Sequence, residues 1–417
     1  MELRRTPITW AIYGMNAAWA SFIYLSGPIA PILAEELGVP VGAAGLVGTA
    51  LAAGMATASV TGPAAVARFG RDLTARLGLA WLSLFLVGII LVPTILSGGL
   101  AFGLILVFIW LGATGGGTVL NASTARLADR HKEHSAQVIT EANAAAAWVG
   151  LFSPLLLGAA LGAGLGWSAG IVVCLVAIAV AFVILVLADR MTRSAGTAGD
   201  ERTVHHPVEP ALEVIEEPPP AEEAPGGPVR LPGIFWVAMV ALFAAVATEF
   251  AITFWGSTLI QDQTGASASS ATSAMSAVVA GIALGRTAGS ALTARLGRHR
   301  MLLGGFVLAI LGFGVLWTAT SLLLAIVGLA VAGLGLATLF PLVLDRGIVL
   351  SAGHPDLAMS RSSLVLGLAA GIAPFALGAL GAVMPVSTAM LLVPVVALLG
   401  LVGVAMSRPP APAAATP

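Results

Sequence analysis

Long apolar segments separated by short polar connections are the dominant pattern of this chain. A helix that crosses a bilayer needs roughly 20 mostly apolar residues. In the first half, segments of this kind cover residues 8–33, 40–66, 74–97, 101–125, 136–161 and 166–188. In the second half they cover residues 232–259, 267–294, 300–319, 322–345, 362–383 and 385–406. The pattern predicts an all-α polytopic membrane protein with twelve transmembrane helices, which we number spans 1 to 12.

One polar connection occurs twice. Residues 62–71 and residues 289–298 both follow the pattern G-x-x-x-x-A-R-x-G-R, and the offset is 289 − 62 = 227 residues. Each copy joins the second and third spans of its half. A repeat of about half the chain length predicts two pseudo-symmetric six-helix domains, 1–190 and 231–408.

Composition supports this class of protein. Apolar residues make up 58% of the chain and charged residues 9%, whereas a water-soluble domain has roughly 25% charged residues. Residues 191–230 are acidic and rich in Pro, which predicts a disordered cytoplasmic linker, and residues 409–417 are predicted to be a disordered tail. The single cysteine, Cys174, excludes a disulfide within the chain, and no pattern indicates a metal or another cofactor.

Basic residues fix the predicted orientation. Of the 19 Lys and Arg residues, all but Arg286 lie on one side of the predicted spans. Cytoplasmic loops carry the excess of basic residues, so that side and both termini are predicted to be cytoplasmic. The strong preference for Arg over Lys, with abundant Ala and Gly, favours a bacterial protein of the cytoplasmic membrane.

Twelve spans arranged as six plus six, a long central cytoplasmic loop and the repeated basic turn together resemble the major facilitator superfamily. The family's turn usually has an acid before its first Arg, but Ala67 and Ala294 stand there in this chain. This departure removes the carboxylate expected to lock the cytoplasmic gate, and Asp72 is the candidate substitute. The four arginines of the two turns are predicted to act in gating between the halves or only to set the topology: Arg68, Arg71, Arg295 and Arg298.

The second half is similar to the fucose-permease-type sugar symporters of that superfamily. The segments that carry this resemblance are 248–250 with Phe254 and Trp255, 285–286 with 289–290, and 333–335 with 340–342. The first half departs from these symporters, which carry proton-titrating acids in helices 1 and 4. Here Asn16 and Asn121 are the nearest polar residues, so proton coupling would use Glu249 or Glu141.

Glycine and proline recur in spans 5 and 11. Gly150 and Pro154 in span 5 are matched by Gly371 and Pro374 in span 11. Small residues allow helices to approach closely, and a proline inside a helix kinks it. The motif resembles, in degenerate form, the Gly-Pro signature of the superfamily's exporters. Its presence in both halves favours a role in packing and bending.

Glu249 is the strongest candidate for a coupling residue. It lies near the middle of span 7, where a charge costs at least roughly 2.5–3.5 kcal/mol on insertion scales. Thr253 and Gly256 follow at i+4 and i+7, on the same face of the helix. A carboxyl group that binds and releases a proton suits such a place, and the alternative is a structural acid that braces the span.

Glu141 and Arg286 lie in the cytoplasmic halves of spans 5 and 8. The resemblance implies that these spans face each other between the two domains. The two residues are therefore predicted to form an ion pair that opens and closes during transport. The alternative is that each reaches water separately.

Span 1 is the best candidate for a substrate-binding face. Tyr13, Asn16 and Tyr24 share one side of its helix, and Trp19 flanks them. Aromatic rings with polar tips beside an amide suit an uncharged polar solute. The remaining residues predicted to line the cavity are Asn121, Thr253 and Trp255.

The chain is therefore predicted to be a secondary transporter that moves a small organic solute, such as a sugar, by alternating access with protons. The expected partners are that solute, protons and lipid, with no nucleic acid, and the expected state is a monomer. A proton-driven exporter of apolar compounds is the alternative of the same class. A membrane sensor or partner-binding protein is the alternative from another class. No side-chain pattern of catalytic spacing favours an enzyme.

Overall fold

In a computed structural model of the protein, residues 5–131, 135–194 and 230–408 are described. Every regular element in these ranges is helical. The first half contains α1 (Pro7–Glu36), a short 3₁₀ helix (Val41–Ala44), α2 (Gly45–Ile95), α3 (Gly98–His131), α4 (Ser135–Gly150), α5 (Phe152–Gly162) and α6 (Ser168–Ser194). The second half contains α7 (Gly233–Thr264), α8 (Ala268–Ala274), α9 (Ser276–Leu296), α10 (Arg298–Trp317), α11 (Leu322–Leu336), α12 (Leu339–Val349), α13 (Pro355–Gly381), α14 (Val386–Ala389) and α15 (Leu392–Met406).

The number of crossing segments agrees with the sequence. Within the described ranges, 11 segments are long and apolar enough to cross a membrane. One of them, Val41–Ile95, has 55 residues, more than two roughly 20-residue crossings require. Its helix has a non-helical residue at Gly70. Counting the two sides of Gly70 separately gives twelve crossings, which confirms the prediction.

The repeated basic turn has the same backbone conformation in both halves. Gly70 has φ 74° and ψ 164°, and Gly297 has φ 82° and ψ 148°. A side chain strongly disfavours positive φ combined with an extended ψ, whereas glycine adopts this conformation freely. A Cβ atom at either position would meet no other atom within 4 Å. The requirement for glycine therefore comes from backbone conformation and not from a close contact.

Replacing Gly70 by Ala is expected to destabilise the protein, because alanine would hold its backbone in a strained region. Such strain costs about 1–3 kcal/mol. Gly62 in the same helix is the matched control, since it is helical and nothing lies within 4 Å of an added Cβ. Thermal unfolding in detergent should show a lower midpoint for Gly70→Ala and an unchanged or higher one for Gly62→Ala. Equal unfolding midpoints for Gly70→Ala and Gly62→Ala would contradict the conclusion that the backbone conformation at residue 70 requires glycine.

Several spans are interrupted. Span 5 is divided into α4 and α5 at Leu151, span 8 into α8 and α9 at Met275, and spans 10 and 12 are divided as well. Pro154 lies in the first turn of α5, where a missing N–H costs no helical hydrogen bond. Pro374 differs, because α13 continues through it without interruption. The proline of span 5 therefore accompanies a helix break, and that of span 11 does not.

The predicted linker and tail fall mostly outside the described residues. Residues 195–229 and 409–417 are not described, and α6 extends to Ser194, past the predicted domain boundary at 190. The basic end of one span is also longer than predicted. Span 4, predicted to end at residue 125, continues as α3 to His131, so its basic residues stand on the last turns of a helix.

The two halves meet at the helix ends far from the basic turns. Gly45, at the start of α2, approaches Pro374 of α13 so closely that a Cβ would overlap the Pro374 carbonyl. The Thr49 hydroxyl donates a hydrogen bond to the Gly371 carbonyl (2.9 Å). On the other side of the interface, the Ser269 hydroxyl of α8 donates to the Gly158 carbonyl of α5 (2.6 Å). These contacts close one end of the interface between the halves.

Candidate functional site

A cleft opens between the halves on the basic side of these contacts. It has a volume of about 310 Å³ and lies between residues 49–56 of α2 and residues 363–375 of α13. Most of its lining is alanine, glycine, leucine and isoleucine, with the Thr49 and Ser363 side chains as the polar exceptions. Four ion pairs at the basic ends each join two segments of the same half: Arg5–Glu141, Arg71–Asp129, Asp72–Arg126 and Arg298–Asp345. The conformation is closed at one end and open toward the basic loops.

The polar face of α1 is buried, and each of its members has a defined neighbour. The Tyr13 hydroxyl donates to the Glu141 carboxylate (3.0 Å), and the Asn16 side-chain oxygen accepts from the Ser123 hydroxyl of α3 (2.7 Å). The Trp19 ring packs against Gly116 of α3. These contacts tie α1 to α3 and α4 within the first half.

Tyr24, also on α1, faces the second half. Its ring lies against Gly150 at the end of α4, where a side chain would overlap it. Near this level, Gly27 approaches the backbone of Thr253 on α7. Gly150 thus allows α4 to pack closely on α1, and Gly27 allows α1 to pack closely on α7 of the second half.

Glu141 is paired with Arg5 in this conformation, whereas the sequence predicted a pair with Arg286. The guanidinium of Arg5 donates two hydrogen bonds to the carboxylate, at 2.9 and 2.7 Å. The predicted partner was wrong for this state because α1 brings Arg5, just before its first turn, onto α4 of the same half. Arg5 stood in a short terminal segment that offered no signal of a specific contact.

Arg286 instead lies near Glu249. Both side chains are half-buried, and the Arg286 guanidinium interacts electrostatically with the Glu249 carboxyl and with the Tyr24 hydroxyl. In the part of the chain that the structure describes, neither Glu249 nor Arg286 makes a hydrogen bond or a salt bridge. Tyr24 also interacts electrostatically with Glu249. We call Tyr24, Glu249 and Arg286 the central cluster.

The other three predicted cavity residues have different surroundings. Trp255 is buried, and its indole N–H donates to the Pro374 carbonyl (3.1 Å). This bond joins α7 to α13, so the ring packs between helices in this conformation. Thr253 is also buried, beside Gly27. Asn121 is exposed on α3.

The two basic turns make equivalent ion pairs. Arg71 pairs with Asp129 at the end of α3, and Arg298 pairs with Asp345 on α12 (2.8 Å). Arg71 and Arg298 hold the same place in the repeat. A second pair, Asp72 with Arg126 (2.6 Å), strengthens the first turn. The repeated Asp-Arg sequences, 129–130 and 345–346, are the signal that could have identified these partners.

The other arginines of the turns do not reach across the interface. Arg68 stacks over the ring of Phe69, 5.3 Å from its centre, and Arg295 is exposed. In this conformation the turns therefore anchor span 4 or span 10 within one half. A gating role for the four arginines remains a prediction.

Arg346 is buried, whereas its neighbour Asp345 binds Arg298. Arg346 is 4% exposed and donates to the Val404 carbonyl (2.8 Å), at the end of α15. Its other terminal nitrogen lies 3.0 Å from the Nδ1 atom of His299. The negative end of the α15 dipole stabilises this buried cation.

Comparison with known proteins agrees with this architecture. The sequence profile of the Major Facilitator Superfamily matches residues 12–346, and no curated protein sequence matches the chain. A bacterial homologue of the human lysosomal transporter Spinster, solved in an inward-facing and occupied conformation, has a TM-score of 0.62 at 13% identity, over 96% of this chain and 94% of that chain. The MFS transporter FucP, solved in the outward conformation, has a TM-score of 0.58 at 13% identity, over 96% of this chain and 99% of that chain. At this identity the two structures show a shared fold alone.

Proposed function

The chain belongs to the Major Facilitator Superfamily and is a multi-pass membrane transporter, and from this premise we propose that it carries a small organic solute, such as a sugar, together with protons. The observation that supports the proposal is the central cluster. The Glu249 carboxyl group and the Arg286 guanidinium interact electrostatically within the spans but form no hydrogen bond or salt bridge among the described residues, and the Tyr24 hydroxyl of the other half interacts electrostatically with both.

The proposed mechanism is alternating access between two states of the halves. The close contacts between α2 and α13 and between α5 and α8 seal the end far from the basic loops. Breaking them while the basic ends come together would expose the central cluster to the opposite side. Binding of the solute and protonation of Glu249 would shift the balance of these two states, because each ligand favours the state that it binds better.

The proposed location is a bacterial cytoplasmic membrane, with both termini in the cytoplasm. The support is the position of the basic residues, since the ends of α3, α9 and α12 that carry them lie on one side of the bundle. With this orientation, the conformation described above faces inward. The solute would leave the central cluster toward the cytoplasm in this state.

A second candidate function is export of apolar compounds driven by protons. The observation that favours it is the cleft between α2 and α13, whose lining is mostly apolar. The two functions differ in direction. A symported solute accumulates on the alkaline side of the membrane, whereas a solute exchanged for protons accumulates on the acidic side.

The proposed function is tested by transport in proteoliposomes with an imposed pH gradient. The panel contains labelled monosaccharides, their sugar acids and the dye ethidium, and protein-free liposomes give the background. We expect one of the hydroxylated solutes to accumulate on the alkaline side and to equilibrate when an ionophore collapses the gradient. Accumulation of ethidium on the acidic side would contradict symport and support proton-driven export. Uptake that does not depend on the pH gradient would contradict proton coupling.

A further inference from the structure

Arg286 is a cation inside the membrane without a contact partner. It is the one basic residue that the sequence places within a span, and it makes no hydrogen bond or salt bridge to any described residue. A charge at the centre of a membrane helix is costly, and such residues mark the pathways of ions and substrates. The Glu249 carboxyl group interacts with it electrostatically without forming a salt bridge.

The helix geometry leaves room around Arg286. Gly256 of α7 packs against Met275, where a Cβ would lie 2.8 Å from the Met275 sulfur atom. Glu249 lies seven residues from Gly256, or about two helical turns, so the two residues are on the same face of α7. Arg286 lies eleven residues from Met275, or about three turns, so it is on the face of α9 that continues from Met275. Both therefore point toward the seam between α7 and α9. Helix α7 packs on α8, which precedes Met275, whereas α7 and α9, the helix that carries Arg286, have little direct contact.

The first half closes this seam. Helix α1 packs against α7, and α4 packs against α9. Tyr24 of α1 lies with its ring on Gly150 of α4 and interacts electrostatically with Glu249 and Arg286. The Tyr24 hydroxyl makes no hydrogen bond within residues 5–131, 135–194 and 230–408. The site thus combines a fork of N–H donors, a free hydroxyl and one acid, which are contributed by three helices from both halves.

We propose that the transported solute carries a carboxylate group. This carboxylate binds the Arg286 guanidinium and replaces Glu249 as its electrostatic partner. This inference rests on the proposed function and names the class of its substrate: a small hydroxylated organic acid, such as a sugar acid. The planar guanidinium matches a carboxylate with two parallel hydrogen bonds, and Arg is preferred for that task. The Tyr24 hydroxyl, which makes no hydrogen bond within the described residues, is the polar group of α1 that would bind a hydroxyl group of the solute.

The solute carboxylate and the Glu249 carboxylate compete for Arg286, and this competition couples binding of the anion to binding of a proton. Without solute, the negative charge of Glu249 is balanced by Arg286, which also interacts with Tyr24; these are the charged and titratable groups that act on the carboxyl group among the described residues. A bound carboxylate takes over Arg286, and Glu249 then binds a proton. One anion and one proton cross together, so the step moves no net charge. A neutral sugar carried with a proton would move one positive charge.

The test compares matched solutes in proteoliposomes: glucose with glucuronate, and galactose with galacturonate. We expect uptake of the acids to exceed that of the neutral sugars at least about tenfold, and a potassium diffusion potential set with valinomycin to leave it unchanged. Arg286→Gln should raise the Kd for the acid at least about 30-fold, since one partner of a buried charge pair is lost. Arg286→Lys should retain part of the binding. Arg361→Gln, an exposed arginine on α13, is the matched control and should bind as wild type does.

The thermal unfolding midpoint of each variant shows whether it is folded. If Arg286→Gln alone is unstable, the double variant Glu249→Gln/Arg286→Gln is used, because it removes both charges. This double variant should also fail to bind the acids. Proton-coupled uptake of the neutral sugars alone would overturn the inference and leave the proposed function intact. Acid uptake that is unaffected by loss of Arg286 would also overturn it. Uptake of the acids without any dependence on the pH gradient would overturn the coupling in both proposals.

Discussion

Oxidation of the double variant Gly162→Cys/Ser269→Cys is expected to stop transport completely, and reduction should restore it. A Cβ on Gly162 would lie 3.8 Å from the Ser269 Cβ, which is the mean Cβ–Cβ distance of disulfides. Gly162 ends α5 in the first half and Ser269 lies on α8 in the second. A covalent bond between them would hold the closed end of the interface shut. Alternating access requires that end to open in every cycle.

The chain offers a clean background and a matched control for this lock. Cys174 is buried on α6 and is the single cysteine, so Cys174→Ala removes competing thiols. Gly14 and Ala181 both belong to the first half, and a Cβ on Gly14 would lie 3.7 Å from that of Ala181. Oxidation of Gly14→Cys/Ala181→Cys should leave uptake unchanged. If vesicles with quantitatively cross-linked 162–269 pairs still take up solute at the wild-type rate, this end of the interface does not open during transport.

Glu249→Gln is expected to abolish accumulation of the solute and to preserve exchange of labelled for unlabelled solute. Glutamine resembles a glutamic acid that is permanently protonated, so the variant can bind solute and change conformation. It cannot release a proton, and the step that links solute to the proton gradient is lost. The expected accumulation ratio is that of passive equilibration, and the rate of exchange should be similar to that of wild type.

The control for this variant is Asp262→Asn, because Asp262 lies on the same helix but is exposed near its end. That change should leave both accumulation and exchange intact. Loss of exchange in Glu249→Gln, in protein with a normal thermal midpoint, would indicate that the carboxyl group binds the solute. Normal accumulation would indicate that Glu249 only braces α7.

The architecture could be predicted from the sequence because membrane insertion imposes a strong rule. Three features were sufficient to predict twelve helices in two halves. They are the apolar segments of spanning length, the basic residues at alternate ends and the repeated turn at 62–71 and 289–298. The sequence identified Gly70 only as a member of the repeated turn, and the structure adds the reason for glycine there, a backbone with positive φ.

The partners of individual side chains were harder to predict, because they depend on how helices distant in the sequence pack. Glu141 binds Arg5, and Arg346 turns into the bundle toward the end of α15. Trp255 was predicted to line the cavity, and in this conformation its indole N–H binds the Pro374 carbonyl between α7 and α13. Hydropathy identifies which residues lie within the membrane and does not give the face that each one presents to a neighbouring helix.

The central claim, that Glu249 carries the coupled proton, is tested most directly by measuring proton movement itself. Wild type and Glu249→Gln are reconstituted in vesicles that contain a pH-sensitive dye, with valinomycin and potassium to fix the membrane potential and no initial pH gradient. When the solute is added outside, the lumen of wild-type vesicles should acidify in proportion to solute entry. Vesicles with Glu249→Gln should exchange solute while the pH of the lumen stays constant. Acidification by the variant at the wild-type rate would contradict the account.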